Sequence, residues 1–292
     1  VIAAGGSAGA IVGPAMTTVL VLHLGTANML LLCVALLGWA VLCARRLTAW
    51  KGTAAGRRAK AEGSAAAAGG DVALGGSILA GIRLIARSPY LAGICLLMLI
   101  FTTLSTFLYF QQAQIVRDSF EDSAQRTAFF AGMDLAVNVL TIFIQGFLTA
   151  RIIARIGLGW TLALVPIFLA GGFLALGVSP GLVVIACVQV ARRAGEYALT
   201  RPAREMLYTV LSREEKYKAK NVIDTVVYRG GDAVSAWVFS GLQAIGMAVA
   251  GISFLAVPLA LTWAIIGFRL GRRREQLAAY HTGSDITGGT GS

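Results

Sequence analysis

The chain has 292 residues, of which 57% are hydrophobic and only 13% charged, with a mean hydropathy of +0.75. A soluble domain carries about 25% charged residues, so the composition excludes an ordinary soluble protein and indicates an all-α integral membrane protein. The net charge of +11 does not mark a nucleic-acid binder, because the basic residues cluster between apolar stretches instead of along one soluble face.

Eight apolar stretches of about 20 residues read as membrane spans. They cover 1–22, 27–44, 91–110, 129–150, 159–177, 181–199, 222–244 and 249–268. They are too long, and too poor in alternation, for strands. The chain begins at Val1 inside an apolar run, which predicts a fragment lacking its true N-terminus. The first span contains GGSAGAIVGP. Gly5, Gly9 and Gly13 stand at four-residue spacing, which lets helix backbones approach closely, and Pro14 follows. The segment 46–88 is predicted as a linker. It is rich in Ala and Gly over 48–77 and ends in a short amphipathic helix near 77–86.

The fourth span carries Asp134, Asn138, Thr141 and Gln145 on one helical face. Asp134 is a partner for a cation, a proton-carrying carboxylate, or half of a structural ion pair with an arginine of another helix. The sixth span sets Gln189, Arg192 or Arg193, and Glu196 on one face. Arg193 pairs within its helix with Glu196 or Tyr197, or one arginine meets a solute while the other pairs with Asp134 or Asp232. An inward guanidinium is a planar fork of donors suited to phosphate or carboxylate. The seventh span carries Asp224, Tyr228, Arg229 and Asp232 at three- or four-residue steps or close to that face. Ionisable side chains at membrane depth cost several kcal/mol unless paired or hydrated, and so mark a cavity or solute path. The polar loop 200–221 suggests a helix start near Arg201, and its Arg201, Arg204 and Glu205 are candidates for a charged cytoplasmic gate.

Most of the 25 basic residues lie in the linker, in the loops after the fourth and sixth spans and in the C-terminal tail. That side is expected to be cytoplasmic. The four cysteines and two histidines show no metal-ligand spacing, and no enzyme motif is visible, so neither cofactor nor catalysis is expected.

The stretch 200–232, TRPAREMLYTVLSREEKYKAKNVIDTVVYRGGD, resembles the ATP/ADP (nucleotide) transporter family and its bacterial major-facilitator relatives. The likeness rests on 201–205 (RPARE), 218–221 (KAKN) and 224–232, with Gly9, Gly13 and Pro14 similar to the core of an antiporter motif. It implies a major-facilitator-like helix bundle of which this chain holds the C-terminal eight of twelve helices. Residues 1–45 would end the first half, 89–275 would form the six-helix second half, and 276–292 a disordered cytoplasmic tail. It further implies a bacterial inner-membrane carrier for an anionic solute of nucleotide type, with lipid and solute as its partners. A proton-coupled exporter, or a membrane scaffold that transports nothing, are the alternative expectations.

Overall fold

The computed structural model describes residues 2–51 and 78–288, and every regular element among them is helical. In chain order these are α1 (Ile2–Lys51), α2 (Ile78–Arg87), α3 (Pro89–Ser119), α4 (Ser123–Phe143), α5 (Thr149–Val178), α6 (Leu182–Gly195), α7 (Arg201–Leu207), α8 (Arg213–Val222), α9 (Tyr228–Ala244) and α10 (Val249–Gly288). Single π-helical turns, Ile144–Leu148, Glu196–Thr200 and Ile223–Val227, join α4 to α5, α6 to α7 and α8 to α9. The described residues form an all-α bundle, and among them four helices are long and apolar enough to cross a membrane: Ala8–Arg46, Pro89–Ser119, Ser123–Val178 and Val249–Ala279. The first and third each contain a kink at a positive-φ glycine, Gly25 (φ 75°) and Gly157 (φ 79°). Each therefore spans two of the apolar stretches seen in the sequence. Gly25 and Gly157 sit where only a residue without Cβ adopts that backbone freely.

The core lies between α3, α5, α6 and α10. Leu91, Leu104, Leu108, Leu162, Phe173, Ile185 and Trp263 are each almost wholly enclosed. The outer surface is equally apolar, with Leu30, Trp39, Val183 and Trp237 exposed, as a lipid-facing belt requires. α10 packs chiefly along α5, and α1 along α4. The closest approach is at Gly159 and Gly271, where a Cβ on either glycine would strike the backbone of the other helix. Next to it, the Glu275 carboxylate accepts from the Leu158 N–H at 2.9 Å and caps the helix restarted after Gly157.

Several prolines explain how the helices interlock. A proline inside a helix has no N–H, so the carbonyl four residues earlier loses its partner. Pro14 releases the carbonyl of Ala10, and Asn138 Nδ2 on α4 donates to it at 2.6 Å. Pro202 has the same effect at the α6–α7 junction. Pro202 has no N–H for the Ala198 carbonyl, and the Arg201 N–H turns back to Glu196 in the π turn, which orphans the Tyr197 carbonyl. Gln145 Nε2 donates to Tyr197 O at 3.0 Å and Thr149 Oγ1 to Ala198 O at 2.8 Å. In lipid an unsatisfied backbone group costs several kcal/mol, so these side chains act as interhelical pins.

The structure departs from the sequence expectation at several points. An α-helical segment begins at Arg201 with Pro202 in its first turn, as expected, but it continues α6 without a break through the π turn. Helical backbone runs from Leu182 through Leu207, and the 200–221 stretch is mostly helix, with a break at 211–212 where Ser212 forms a capping box with Glu215. α10 continues to Gly288, where a disordered tail was expected from 276. Glu275 and the apolar contact of Leu277 hold its near part. The amphipathic segment forms α2, docked on α8 and α3. The Ala/Gly-rich part of the linker, 52–77, lies outside the described residues. Among the described residues, Gly5, Gly9 and Gly13 meet no neighbour within 4 Å at the Cβ position, so the expected close helix contact is not made there.

Gly271→Val is predicted to lower the thermal midpoint of the detergent-solubilised protein, because backbone cannot move aside and overpacking costs about 1–3 kcal/mol. Gly132→Ala, in open space, leaves that midpoint unchanged or slightly higher.

Candidate functional site

Four helices bring polar side chains to one cavity of about 750 Å³. α3 contributes Ser105, Thr106, Tyr109 and Gln112, α4 Phe130 and Asp134, α6 Gln189, Arg192 and Arg193, and α9 Asp232. The α3 residues follow helical steps of three and four. The sequence reading passed over them, although the clusters TTLST and QQAQ in an apolar span were the available signal.

A hydrogen-bonded relay crosses the cavity wall. Arg192 Nε donates to Gln189 Oε1 at 2.9 Å, and Arg192 Nη1 to Ser105 Oγ at 2.9 Å. Gln189 Nε2 donates to Gln112 Oε1, and Gln112 Nε2 to Met133 Sδ at 3.4 Å. Both amides are thereby fixed in orientation, and the Gln189 carbonyl is spent on Arg192. Beside it, Arg193 forms an ion pair with Asp134 at 2.5 Å. Across the cavity, Asp232 accepts from Thr106 Oγ1 at 3.3 Å.

The charge balance is uneven. Arg192 is 9% exposed, and among the described residues it has no carboxylate within 4.0 Å. Its partners are a neutral amide and a neutral hydroxyl. Burying an ion without a counter-ion costs several kcal/mol. Asp232 likewise has no cation within that distance among the described residues. The cavity thus offers one free guanidinium, one free carboxylate and one neutralised pair. Among the described residues no three His, Cys, Asp or Glu side chains come together as metal ligands.

Of the residues singled out in the sequence, Asp134, Gln189, Arg192, Arg193 and Asp232 meet here, and the others lie elsewhere. Asn138 and Gln145 are the pins to Ala10 and Tyr197, and Thr141 Oγ1 is buried without a partner. Asp134 to Gln145 share one face, but that face is about 16 Å long at 1.5 Å per residue, and its neighbouring helices change along it. Glu196 is 5% exposed, one turn beyond Arg192 and outside the cavity lining. Asp224 lies half-buried in the third π turn, and Arg229 is exposed. The Tyr228 ring centroid sits 6.3 Å from that of Phe101.

The gate candidates form a layer at the end of the bundle carrying α2, α7 and α8. Glu205 pairs with Lys220 of α8 at 2.7 Å, the Arg201 guanidinium lies 4.9 Å over the Tyr197 ring, and Arg204 Nη1 donates to Met98 Sδ at 2.8 Å. Tyr90 Oη donates to the Leu207 carbonyl at 2.8 Å and ties α3 to this layer. On exposed α8, the Lys218 ammonium beside Glu214 holds its carboxyl below the usual range.

These features define a membrane-embedded, all-α protein of transporter-like architecture, with a polar cavity between its helices. No protein-family model matches the chain, and no curated protein gives a significant sequence match.

The Arg193–Asp134 pair is partly solvated, with side chains 30% and 45% exposed, so solvent screening limits its contribution. A double-mutant cycle of Arg193→Gln and Asp134→Asn on thermal stability is predicted to give a coupling of about 1 kcal/mol or less. Arg192→Met should leave stability unchanged or raise it, since it removes an uncompensated buried charge.

Proposed function

We propose that this chain belongs to a secondary active transporter that carries an organic anion, of nucleotide type, through the central cavity by alternating access. One observation supports this above all. Arg192 is buried, opens on the cavity, and is held by neutral partners that leave its charge uncompensated. Such a guanidinium suits phosphate or carboxylate, and an entering anion supplies the missing counter-charge. The Arg193–Asp134 pair borders the same cavity, and an anion that drew Arg193 away would free Asp134, a differential contact of the kind a conformational change requires. The likeness of 200–232 to nucleotide transporters agrees with an anionic solute. The fold would then be major-facilitator-like, in a bacterial inner membrane with the basic loops cytoplasmic, and the protein a carrier rather than an enzyme.

A second reading, proton-coupled export of another small solute, is favoured by Asp232, a carboxylate in the cavity that accepts from the Thr106 hydroxyl.

Reconstituted full-length protein is predicted to take up labelled ATP faster when the vesicles are preloaded with ADP. Arg192→Gln should reduce that uptake by at least tenfold, with Arg192→Lys intermediate. Uptake driven by a pH gradient, indifferent to ADP and abolished by Asp232→Ala, would instead establish the second reading.

A further inference from the structure

Below the cavity, the helical run from α6 through the π turn into α7 carries a second set of polar residues. Glu196, Thr200, Arg204 and Tyr208 follow Arg192 at four-residue steps. In an uninterrupted α-helix this spacing drifts by about 40° per step. The wider π turn at Glu196–Thr200 offsets part of that drift and helps keep the row on one face. Glu196, Thr200 and Tyr208 are 5%, 3% and 0% exposed. Each member of the row has a buried polar atom without a hydrogen-bond partner among the described residues: Glu196 Oε2, Thr200 Oγ1, Arg204 Nε and Tyr208 Oη.

Native interiors rarely leave one such group unsatisfied, and an orphan calls for an explanation such as water, an ion or a function. Four in a row along one helical run call for a common explanation. The facing helix is α3. Ser105 faces Arg192 and Met98 faces Arg204, with Phe101 between them in sequence. The Phe101 ring lies 5.6 Å from Trp263, whose Nε1 is another buried orphan, and 6.3 Å from Tyr228. This aromatic group stands between the cavity and Arg204.

We propose that this row is the closed half of the anion passage, with Arg204 as a second anion station and the Phe101–Trp263–Tyr228 group as its plug. The proposal rests on the transporter reading above. Arg192 and Arg204 lie about 18 Å apart along the helix at 1.5 Å per residue. Arg204, like Arg192, has no carboxylate within 4.0 Å among the described residues. Glu196, itself buried, lies between them along the helical run.

The test uses full-length protein in which Cys33, Cys43, Cys95 and Cys187 are replaced by Ser. Thr200→Cys is compared with Ala194→Cys, an equally buried position two residues off the row. N-ethylmaleimide is expected to label Thr200→Cys at least tenfold faster, and Phe101→Ala to speed that labelling further. Equal, slow labelling of both positions overturns the passage. In parallel, Arg204→Gln should lower ATP turnover at least tenfold while binding of labelled ATP stays within twofold of wild type, and Arg204→Lys should restore part of the rate. Turnover within twofold of wild type in Arg204→Gln overturns the second station. Should wild-type protein carry no anion, transport itself is refuted, while the labelling contrast still decides whether the row is hydrated.

Discussion

Inside a bilayer there is no water to satisfy a polar group, so each one must find its partner within the protein. That constraint organises this chain. Pro14 and Pro202 each release a carbonyl, and side chains from neighbouring helices, Asn138 and Thr149, meet them. The π turn at Glu196–Thr200 releases a further one, at Tyr197, and Gln145 meets it. Groups that break the rule stand out against this background. Arg192 is a buried cation with only neutral partners, and the orphaned atoms of Glu196, Thr200, Arg204 and Tyr208 follow it along the same helix.

Packing and polarity divide the work between helices. α5 and α10 form the tight apolar side of the bundle, where Gly159 and Gly271 bring backbones together. α3, α4, α6 and α9 carry the polar faces and surround the cavity. Helices locked by glycine contacts provide a fixed frame. Helices containing π turns can shift their hydrogen-bond register more readily, and such turns are frequent at functional sites. Both parts of the carrier mechanism proposed here, the cavity and the closed row beyond it, draw residues from the continuous run of α6, its π turn and α7.

Much of the fold was legible in the sequence because it depends on length and hydropathy. Six of the eight apolar stretches fall within the four helices long and apolar enough to cross a membrane, with Gly25 and Gly157 marking the kinks that divide two of them, and 181–199 and 222–244 are helical but outside those four. The convergence of Asp134, Arg192, Arg193 and Asp232 on one cavity could be expected from the cost of burying charge. The Arg193–Asp134 pair was among the alternatives the sequence offered, but the other partners could not be read, because helical periodicity gives a direction but no depth or neighbour. Asn138 and Gln145 share the face of Asp134, yet their amides serve backbone carbonyls released by a proline and by a π turn in other segments. The α3 contribution was overlooked because threonine, serine and glutamine weigh little in a span otherwise made of Leu, Ile and Phe. The continuity of α6 into α7 was misread because Pro202 signals a helix start, whereas a π turn carries the chain through it.

The central claim is that the Arg192 guanidinium awaits an anionic group of a solute. A structure of the full-length protein determined with bound ATP tests it most directly. The account predicts phosphate density within hydrogen-bonding distance of Arg192 in the cavity between α3, α4, α6 and α9. Phosphates held elsewhere, or a protein carboxylate occupying Arg192 in the bound state, would contradict it.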